Sequence, residues 1–261
     1  MSMSRTILVT GSASGIGKAT AALLRARGCN VIGLDIQDTG RSDTDIIADL
    51  STVQGRRHGI SKTLQMSGGT LDGVVACAGL AGADAKAMVA VNYFGTVSIV
   101  EGLHNALMSS SAPRVAIISS SAIILPSHHP LVDACLSGNE SAALDEAAGN
   151  DVLTYASTKL SLSRWIRRTA ILPEWAGNGI LINGIAPGPV RTPMTAPILA
   201  TAEGRAMLAE VTPIALNDYA EPEHIARLLA FLASPDCSYM VGQNIFIDGG
   251  TDIISRGEQQ I

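Results

Sequence analysis

Short, nearly continuous apolar runs alternate along this chain with longer stretches of helical periodicity. The apolar runs occupy residues 6–9, 31–34, 46–48, 73–77, 115–118, 180–183 and 245–247. Runs without polar alternation are typical of parallel strands buried on both faces. The pattern therefore predicts about seven parallel strands.

The stretches between these runs carry apolar residues at helical spacing. In the first, Ile16, Ala19 and Leu23 fall on one face, and Gly28 ends the pattern. Helices are predicted at about 16–28, 51–66, 88–108, 152–172 and 222–233. Strands that alternate with helices, with no linker between them, indicate one α/β domain: a Rossmann-type doubly wound parallel sheet with helices on both faces.

One segment interrupts this rhythm. Residues 121–151 separate a strand from the next helix and contain SHHPLVDACLSGNESAALDEAAGN. We interpret the segment as an insertion, with His128 and His129 as exposed loop residues. Its acidic positions, Glu140, Asp145 and Glu146, fit a solvated face of a short helix. The pairs Arg56-Arg57 and Arg167-Arg168 are likewise interpreted as solvated helix faces.

Composition and charge exclude several function classes. The 261 residues are 47% hydrophobic and only 16% charged, so a large core is expected. The net charge of −5 and the absence of a basic cluster argue against a nucleic-acid partner. No run approaches the length of a membrane span, and Cys29, Cys77, Cys135 and Cys237 form no CxxC pair. A cytoplasmic protein with reduced thiols and no metal site is expected.

The stretch TGSASGIGKAT, residues 10–20, is a candidate phosphate-binding turn. A P-loop needs four residues between its glycines and a hydroxyl after the lysine, whereas here five residues separate Gly11 from Gly17 and Ala19 follows Lys18. A nucleophile elbow fails as well, because Ala13 stands where the serine would be. The remaining interpretation is a dinucleotide turn, GxxxGxG, with Lys18 on the outer face of the helix.

Asp35 strengthens the dinucleotide interpretation. It ends the second predicted strand, in the sequence LDI. A carboxylate there accepts hydrogen bonds from the adenosine ribose hydroxyls and repels a 2′-phosphate. The predicted cofactor is therefore NAD(H) and not NADP(H).

Tyr155 and Lys159 are separated by one helical turn at the start of a predicted helix. A phenol ordinarily has a pKa near 10, about three units too high for a base at neutral pH. A neighbouring ammonium and a positive nicotinamide ring favour the phenolate, so we expect a lowered pKa for Tyr155. Taken alone, YxxxK is also a common helix pair.

Together these motifs resemble the short-chain dehydrogenase/reductase family. The resemblance runs from TGxxxGIG through Asp35, the Ser119-Ser120 pair, YxxxK and Pro187-Gly188 to the closing IFIDGG. It is most similar to a bacterial subgroup of 3α-hydroxysteroid dehydrogenases and carbonyl reductases, through IADLST, CAGL, VNYFG and the insertion. The resemblance implies an NAD-dependent enzyme that interconverts secondary alcohols and ketones, with bulky or alicyclic substrates and a homodimeric or homotetrameric assembly.

The resemblance also implies roles for individual residues. Tyr155 would be the acid/base, Ser120 would hydrogen-bond the substrate oxygen with Ser119 as the fallback, Lys159 would hold the cofactor ribose, and Asn92 would anchor a water in a proton relay. The implied cofactor-binding residues are Gly11, Ser14, Gly15, Ile16, Gly17, Asp35, Ile36, Asp49, Leu50, Ala78, Gly79, Tyr155, Lys159, Pro187, Gly188, Val190 and Thr192.

A substrate lid is implied at about residues 191–216, after the Pro-Gly turn. Its apolar residues Met194, Ile198, Leu199 and Met207 are candidates for a pocket around a bulky ketone, and for each of them packing on the core is an equal alternative. The chain departs from the family's NNAG motif, where it has Ala76-Cys77-Ala78-Gly79. Cys77 is interpreted as a small core residue.

Two other functions compete with this one. A non-catalytic dinucleotide-binding regulator on the same fold would be expected to lose Tyr155 or Lys159, and both are present. An epimerase or dehydratase of the extended type would need a longer C-terminal substrate domain than 261 residues allow.

Overall fold

A seven-stranded parallel sheet runs through the centre of the protein in a computed structural model that describes residues 4–39, 43–82 and 84–258. Its order is β3-β2-β1-β4-β5-β6-β7. From β1 the chain adds β2 and β3 on one side of the sheet, and it then returns to add β4 to β7 on the other side. This is the Rossmann-type arrangement predicted above. The strands are β1 (Thr6–Thr10), β2 (Asn30–Asp35), β3 (Ile46–Ile47), β4 (Gly73–Ala76), β5 (Arg114–Ile118), β6 (Leu181–Pro187) and β7 (Asn244–Ile247).

Two hydrophobic cores cover the two faces of this sheet. Successive residues of β1 show the division, because Leu8 belongs to one core whereas Ile7 and Val9 belong to the other. This alternation across a strand places apolar residues on both sides, so most strand positions are apolar. The nearly continuous apolar runs of the sequence follow directly from this burial.

Twelve α-helices flank the sheet in the described residues. They are α1 (Gly15–Ala26), α2 (Val53–Met66), α3 (Ala85–Val89), α4 (Thr96–Gly102), α5 (His104–Met108), α6 (His129–Leu136), α7 (Glu140–Ala147), α8 (Asp151–Thr169), α9 (Ala196–Ala200), α10 (Ala202–Val211), α11 (Pro222–Leu232) and α12 (Thr251–Arg256). Proline at the first position of α11 and a capping box between Glu221 and His224 fix where that helix begins.

The continuous helix predicted at 88–108 is wrong. The structure divides this region into α3, a π-helical segment at Ala90–Gly95, α4 and α5. A π-helical turn inserts an extra residue into the helical repeat and is often found at functional sites. Here it contains Asn92, which is fully buried.

The segment 121–151 forms part of the core. Its helices α6 and α7 bury Leu131, Cys135 and Ala143 in the same cluster as the sheet residues on that face. It also contains a 3₁₀ turn, Ser121–Ile124, directly after the end of β5.

Three polar residues that were expected to be solvent-exposed are instead paired and at least partly buried: Arg56, Glu140 and His128. Arg56 is 4% exposed and pairs with Glu140, with Nη2 and Oε1 at 2.6 Å. His128 lies 2.8 Å from Glu146, between Nε2 and Oε2, and its backbone N–H donates to Ser157 Oγ. These groups were assigned to solvated faces or an exposed loop because their partners are distant in the sequence. His129 is exposed, as expected.

Three structural features are absent from the described residues. None of the helices there is long and apolar enough to cross a membrane. No group of three or more His, Cys, Asp or Glu side chains in that part of the chain could hold a metal ion. All four cysteines are free.

Candidate active site

A cleft of about 600 Å³ opens at the carboxyl edge of the sheet, where β1 and β4 lie side by side and the chain turns in opposite directions. Such switch points are where open parallel sheets bind ligands. Its lining includes all the residues assigned above to the cofactor, together with Ser119, Ser120, Met194, Leu34, Gln37, Ala48, Ser51, Cys77, Leu80, Ala81, Ala87, Val91, Ile118, Pro193 and Thr195.

The glycine turn after β1 is packed too tightly for side chains. A Cβ added at Gly17 would lie 2.0 Å from the Gly11 carbonyl oxygen, so helix α1 can approach the turn only with glycine at that position. Gly11 and Gly15 have φ angles of 69° and 49°, in the left-handed region that glycine adopts freely. The turn thereby directs the amino end of α1 at the cleft.

Two features of the turn suit a bound pyrophosphate. Ser14 is the N-cap of α1, but its side chain makes no capping hydrogen bond. The first turn of α1 has no acidic residue. Lys18 lies 3.5 Å from Asp43 (Nζ to Oδ2) and is half-exposed. Anion binding would therefore depend on backbone N–H groups and the Ser14 hydroxyl at the amino end of α1.

Asp35 is held at the end of β2 by two backbone donors. The N–H of Ala13 lies 3.0 Å from its Oδ2, and the N–H of Gln37 lies 3.0 Å from its Oδ1. Each carboxylate oxygen can accept a further hydrogen bond. The carboxylate is thus oriented next to the glycine turn and still able to receive hydroxyl donors.

The wall beyond Asp35 is apolar. Ile36 is 60% exposed although it is a large hydrophobic residue, and Leu50 contributes from the loop after β3. The Asp49 carboxylate accepts the N–H of Ser51 at 2.8 Å, which fixes this loop. An apolar wall beside a carboxylate that can receive hydroxyl donors suits an adenine ring.

The loop after β4 is tied both to β1 and to the π-helical segment. The Thr10 hydroxyl accepts the N–H groups of Cys77 and Ala78, each at 3.1 Å. Asn92 pairs with the backbone of Leu80 in both directions: Oδ1 accepts the Leu80 N–H at 2.7 Å, and Nδ2 donates to the Leu80 carbonyl at 3.0 Å. The Asn92 side chain therefore positions this loop.

Tyr155, Ser120 and Lys159 converge on the opposite wall of the cleft. Tyr155 and Lys159 lie on α8, and the Lys159 ammonium is 5.9 Å from the centre of the Tyr155 ring. Ser120 is the second residue after the end of β5, and its hydroxyl is a hydrogen-bond partner of the Tyr155 phenol. Lys159 also donates to the Ile118 carbonyl at 3.2 Å, from Nζ.

The pKa of Tyr155 is shifted upward, opposite to the expected direction. Burial disfavours the phenolate and raises this pKa, while the hydrogen bond from Ser120 opposes the rise. Burial also lowers the pKa of Lys159 to about 8, against the effect of Cys77, which raises it. Both shifts disfavour the charged form, as desolvation does in general. Cys77 itself has a pKa raised by burial to about 12, which keeps it a neutral thiol.

The Pro-Gly turn closes the cleft on its remaining side. Gly188 cannot carry a side chain, since a Cβ there would lie 2.8 Å from the Asp248 backbone. Val190 forms a parallel bridge to Ala220, so the two ends of segment 191–216 are held together at its base. Thr192 faces the glycine turn, where its Cγ2 would be 3.2 Å from a Cβ at Gly15.

The expected lid contributes less to the cleft than its sequence indicates. Met194 lines the cleft, but Ile198 and Met207 do not, and Met207 is 54% exposed. Helices α9 and α10 contain no buried residue. Their apolar side chains lie open beside the cleft.

Comparisons with known proteins agree with this geometry. Residues 5–130 match the family model described as short chain dehydrogenase, and residues 139–252 match the model described as enoyl-(acyl carrier protein) reductase. A 3-alpha-hydroxysteroid dehydrogenase/carbonyl reductase of Comamonas testosteroni is 36% identical, over 97% of this chain and 98% of that protein. The chain belongs to the short-chain dehydrogenase/reductase family.

Two further members of this family are informative. A cis-4-hydroxycyclohexanecarboxylate dehydrogenase of Sinomonas cyclohexanicum is 32% identical, over 94% of this chain and 96% of that one. The crystal structure of the 3-alpha-hydroxysteroid dehydrogenase from Pseudomonas sp. B-0831, complexed with NADH, is 37% identical and has a TM-score of 0.90. That comparison covers 97% of this chain and 99% of the other, which confirms the predicted family and fold.

Sequence reasoning missed several residues of the cleft. Gln37, Ser51 and Leu80 each follow an assigned residue by one or two positions. Their place next to a motif is the signal that could have found them, because a loop that lines a cleft contributes consecutive residues. Val91 likewise precedes the assigned Asn92, whereas Ala87 is next to no assigned residue and carried no such signal.

Proposed function

We propose that this protein is an NAD(H)-dependent oxidoreductase that interconverts secondary alcohols and ketones. The observation that carries the proposal is the convergence of Tyr155, Ser120 and Lys159 in the same cleft as the glycine turn and Asp35. A dinucleotide site and an acid/base constellation in one cleft suit hydride transfer to or from a bound substrate.

The residues of the cleft fit NAD. The glycine turn and Ser14 would hold the pyrophosphate, Asp35 the adenosine ribose, and Ile36 with Leu50 the adenine. When bound, NAD accepts a hydride from an alcohol, and NADH returns one to a ketone. Asp35 would oppose the additional phosphate of NADP, because the two groups carry like charge.

The protein's own residues handle the oxygen of the substrate and its proton. Ser120 would donate a hydrogen bond to that oxygen, and Tyr155 would supply its proton in ketone reduction or remove it in alcohol oxidation. The raised pKa keeps Tyr155 protonated at neutral pH, in the form that a proton donor needs. Lys159, one turn further along α8, would bind the second ribose and favour the phenolate once a proton leaves.

Asn92 supports these groups from behind. Its Nδ2 donates to the Thr158 hydroxyl at 3.2 Å, and that hydroxyl donates to the Tyr155 carbonyl at 2.8 Å. The asparagine thus links the loop at Leu80 to the helix that bears the acid/base. A water in a proton relay at this position is part of the proposal.

Bulky or alicyclic substrates fit this cleft best. The relatives are named for a hydroxysteroid and for a hydroxycyclohexane carboxylate, both of which carry a secondary hydroxyl on a saturated ring. Met194 already lines the cleft, and we propose that Ile198 and Met207 reach the substrate when the lid at 191–216 closes. Four free thiols agree with a cytoplasmic location.

A panel of alcohols with NAD tests this proposal. Cyclic and aryl secondary alcohols, including hydroxysteroids, should be oxidised with formation of NADH, whereas short primary alcohols should react poorly. The rate is read by the absorbance of NADH, with NADP as the parallel cofactor. No turnover of any secondary alcohol or ketone, despite NADH binding, would contradict the proposed reaction and favour the non-catalytic alternative.

A further inference from the structure

Arg56 is a buried guanidinium that no part of the proposed reaction requires. It lies in the first turn of α2 and is 4% exposed. A buried charge is stable only with a partner and with hydrogen bonds for its donors. The donors of Arg56 are used on three different parts of the protein, one of which lines the candidate active site.

The first part is the adenine wall. Arg56 Nε donates to the Leu50 carbonyl at 2.7 Å, and Nη2 donates to the Ser51 carbonyl at 3.2 Å. Leu50 and Ser51 both line the cleft. The guanidinium therefore holds the backbone of this loop from the side that faces away from the cleft.

The second part is the beginning of the π-helical segment. Arg56 Nη2 donates to the Ala90 carbonyl at 3.1 Å, two residues before Asn92. A π-helical turn pairs carbonyls with N–H groups five residues on, and each carbonyl has a second lone pair that can accept from a guanidinium. The guanidinium also lies over the Phe94 ring, 6.0 Å from its centre, within the same segment.

The third part is the segment 121–151. Glu140, the first residue of α7, accepts from Arg56 through both carboxylate oxygens, at 2.8 Å from Nη1 and 2.6 Å from Nη2. This two-pronged geometry fixes the plane of the guanidinium and not only its position. Helix α7 begins there because Asn139 caps it and accepts the N–H of Ala142.

We propose that Arg56 is a positioning residue for cofactor binding and that Glu140 keeps it in place. The contacts of the guanidinium fix the Leu50 wall and the turn that bears Asn92 in one geometry. Segment 121–151 is thereby connected to the adenine end of the cleft, which its helices do not line. The inference rests on the proposed binding of NAD(H) in this cleft.

The test compares NADH affinity with stability in four variants. Arg56→Met removes the contacts, and Glu140→Gln keeps the shape of the partner but removes its charge. The Arg56→Met/Glu140→Leu pair removes the ion pair without leaving a buried charge. Arg57→Met is the matched control, since Arg57 is the next residue along α2 and is exposed. NADH affinity is measured by fluorescence titration, and stability by urea unfolding.

We expect Arg56→Met to weaken NADH binding by about ten-fold, the size of effect that loss of a charged hydrogen-bonding group in a network produces. Glu140→Gln should weaken it by a smaller factor, and Arg57→Met should leave it unchanged. The double variant should regain stability relative to Arg56→Met, because an unpaired and partly buried carboxylate is no longer present. The double variant should not regain NADH affinity, because the Leu50 and Ala90 carbonyls still lack their donor. In turnover by Arg56→Met, KM for NAD should rise more than kcat falls.

Two results would overturn the inference. If NADH affinity recovers together with stability in the double variant, Arg56 acts only on the fold. If Glu140→Gln binds NADH as tightly as the native protein, segment 121–151 does not act on the cofactor end. Failure of the proposed function gives different results: without cofactor binding the native protein itself would show no NADH binding in the same titration, and without the proposed reaction the native protein would bind NADH but turn over no secondary alcohol or ketone.

Discussion

Replacing Asp35 by asparagine should change which dinucleotide the protein prefers. Both carboxylate oxygens of Asp35 accept backbone N–H groups at 3.0 Å, so the side chain is fixed when the adenosine ribose arrives. Asparagine has the same shape but no charge. Because its amide nitrogen cannot accept an N–H group, the change removes one of these two hydrogen bonds together with the charge, and the ratio of the affinities for NADPH and NADH reports the electrostatic part.

The size of the effect follows from the distance. Two unit charges about 4 Å apart repel by about 4 kcal/mol at an effective dielectric constant of about 20. Asp35 is half-buried, and salt screens the pair, so a repulsion on the order of 2 kcal/mol remains. That corresponds to about a thirty-fold shift in the ratio of the dissociation constants of NADPH and NADH. NADH itself should bind about five-fold more weakly, since a charged acceptor of two hydroxyl donors is lost.

Fluorescence titration of both reduced cofactors measures this ratio directly. The control is Asp236→Asn, an exposed aspartate that does not line the cleft. Added salt should reduce the preference of the native protein and leave that of the Asp35→Asn variant nearly unchanged. A native protein that binds both cofactors equally, or an unchanged ratio in the variant, would refute the reasoning.

Three further predictions concern the acid/base pair and the glycine turn. Tyr155→Phe should lower kcat by about 10² to 10⁴-fold while NADH binds as before in titration, and unchanged kcat would exclude the phenol as the acid/base. The pKa of Lys159 is lowered to about 8 in the folded protein, so above that pH the unfolded chain holds a proton that the folded protein has lost. In urea unfolding, the stability of the native protein relative to Lys159→Met should therefore rise from about pH 8 to 10. A flat difference would contradict the burial of a charged lysine. Gly17→Ala should lose about 3 kcal/mol of unfolding free energy, because its Cβ would overlap the Gly11 carbonyl, whereas Gly177→Ala, with 3.9 Å to its nearest neighbour, should be tolerated.

The sheet could be predicted from the sequence because burial on both faces leaves a direct record in it. All seven predicted runs are strands, although their ends shift by up to four residues: the sixth strand ends at Pro187, four residues beyond its predicted end. Gly11, Asp35 and Gly188 could be predicted as well, because each belongs to a short sequence motif that follows a predicted strand. The motifs are local in the sequence, although the space at Gly188 is limited by the distant Asp248.

The polar contacts across the chain could not be predicted in this way. Glu140 has the sequence context of a solvated short helix, and only the fold brings it to Arg56, 84 residues away. The prediction of a lowered pKa for Tyr155 was wrong for the same reason. Lys159 is near in sequence and was given weight, whereas burial, which has the larger effect, depends on the packing of α8 and the loop at Ser120.

The π-helical segment shows how such contacts place a motif residue. Asn92 pairs with the Leu80 backbone through both the oxygen and the nitrogen of its amide. Gly95 lies so close to Leu50 that an added Cβ would be 3.1 Å from the leucine Cβ. A regular helix from 88 to 108 would rotate one of these two residues away, because the extra residue of the π turn changes the phase between them. The Ala90 carbonyl, at the start of this turn, accepts from Arg56. The placement of Asn92 therefore depends on a residue in α2 that no active-site motif contains, and a substitution there should alter the site with every motif residue intact.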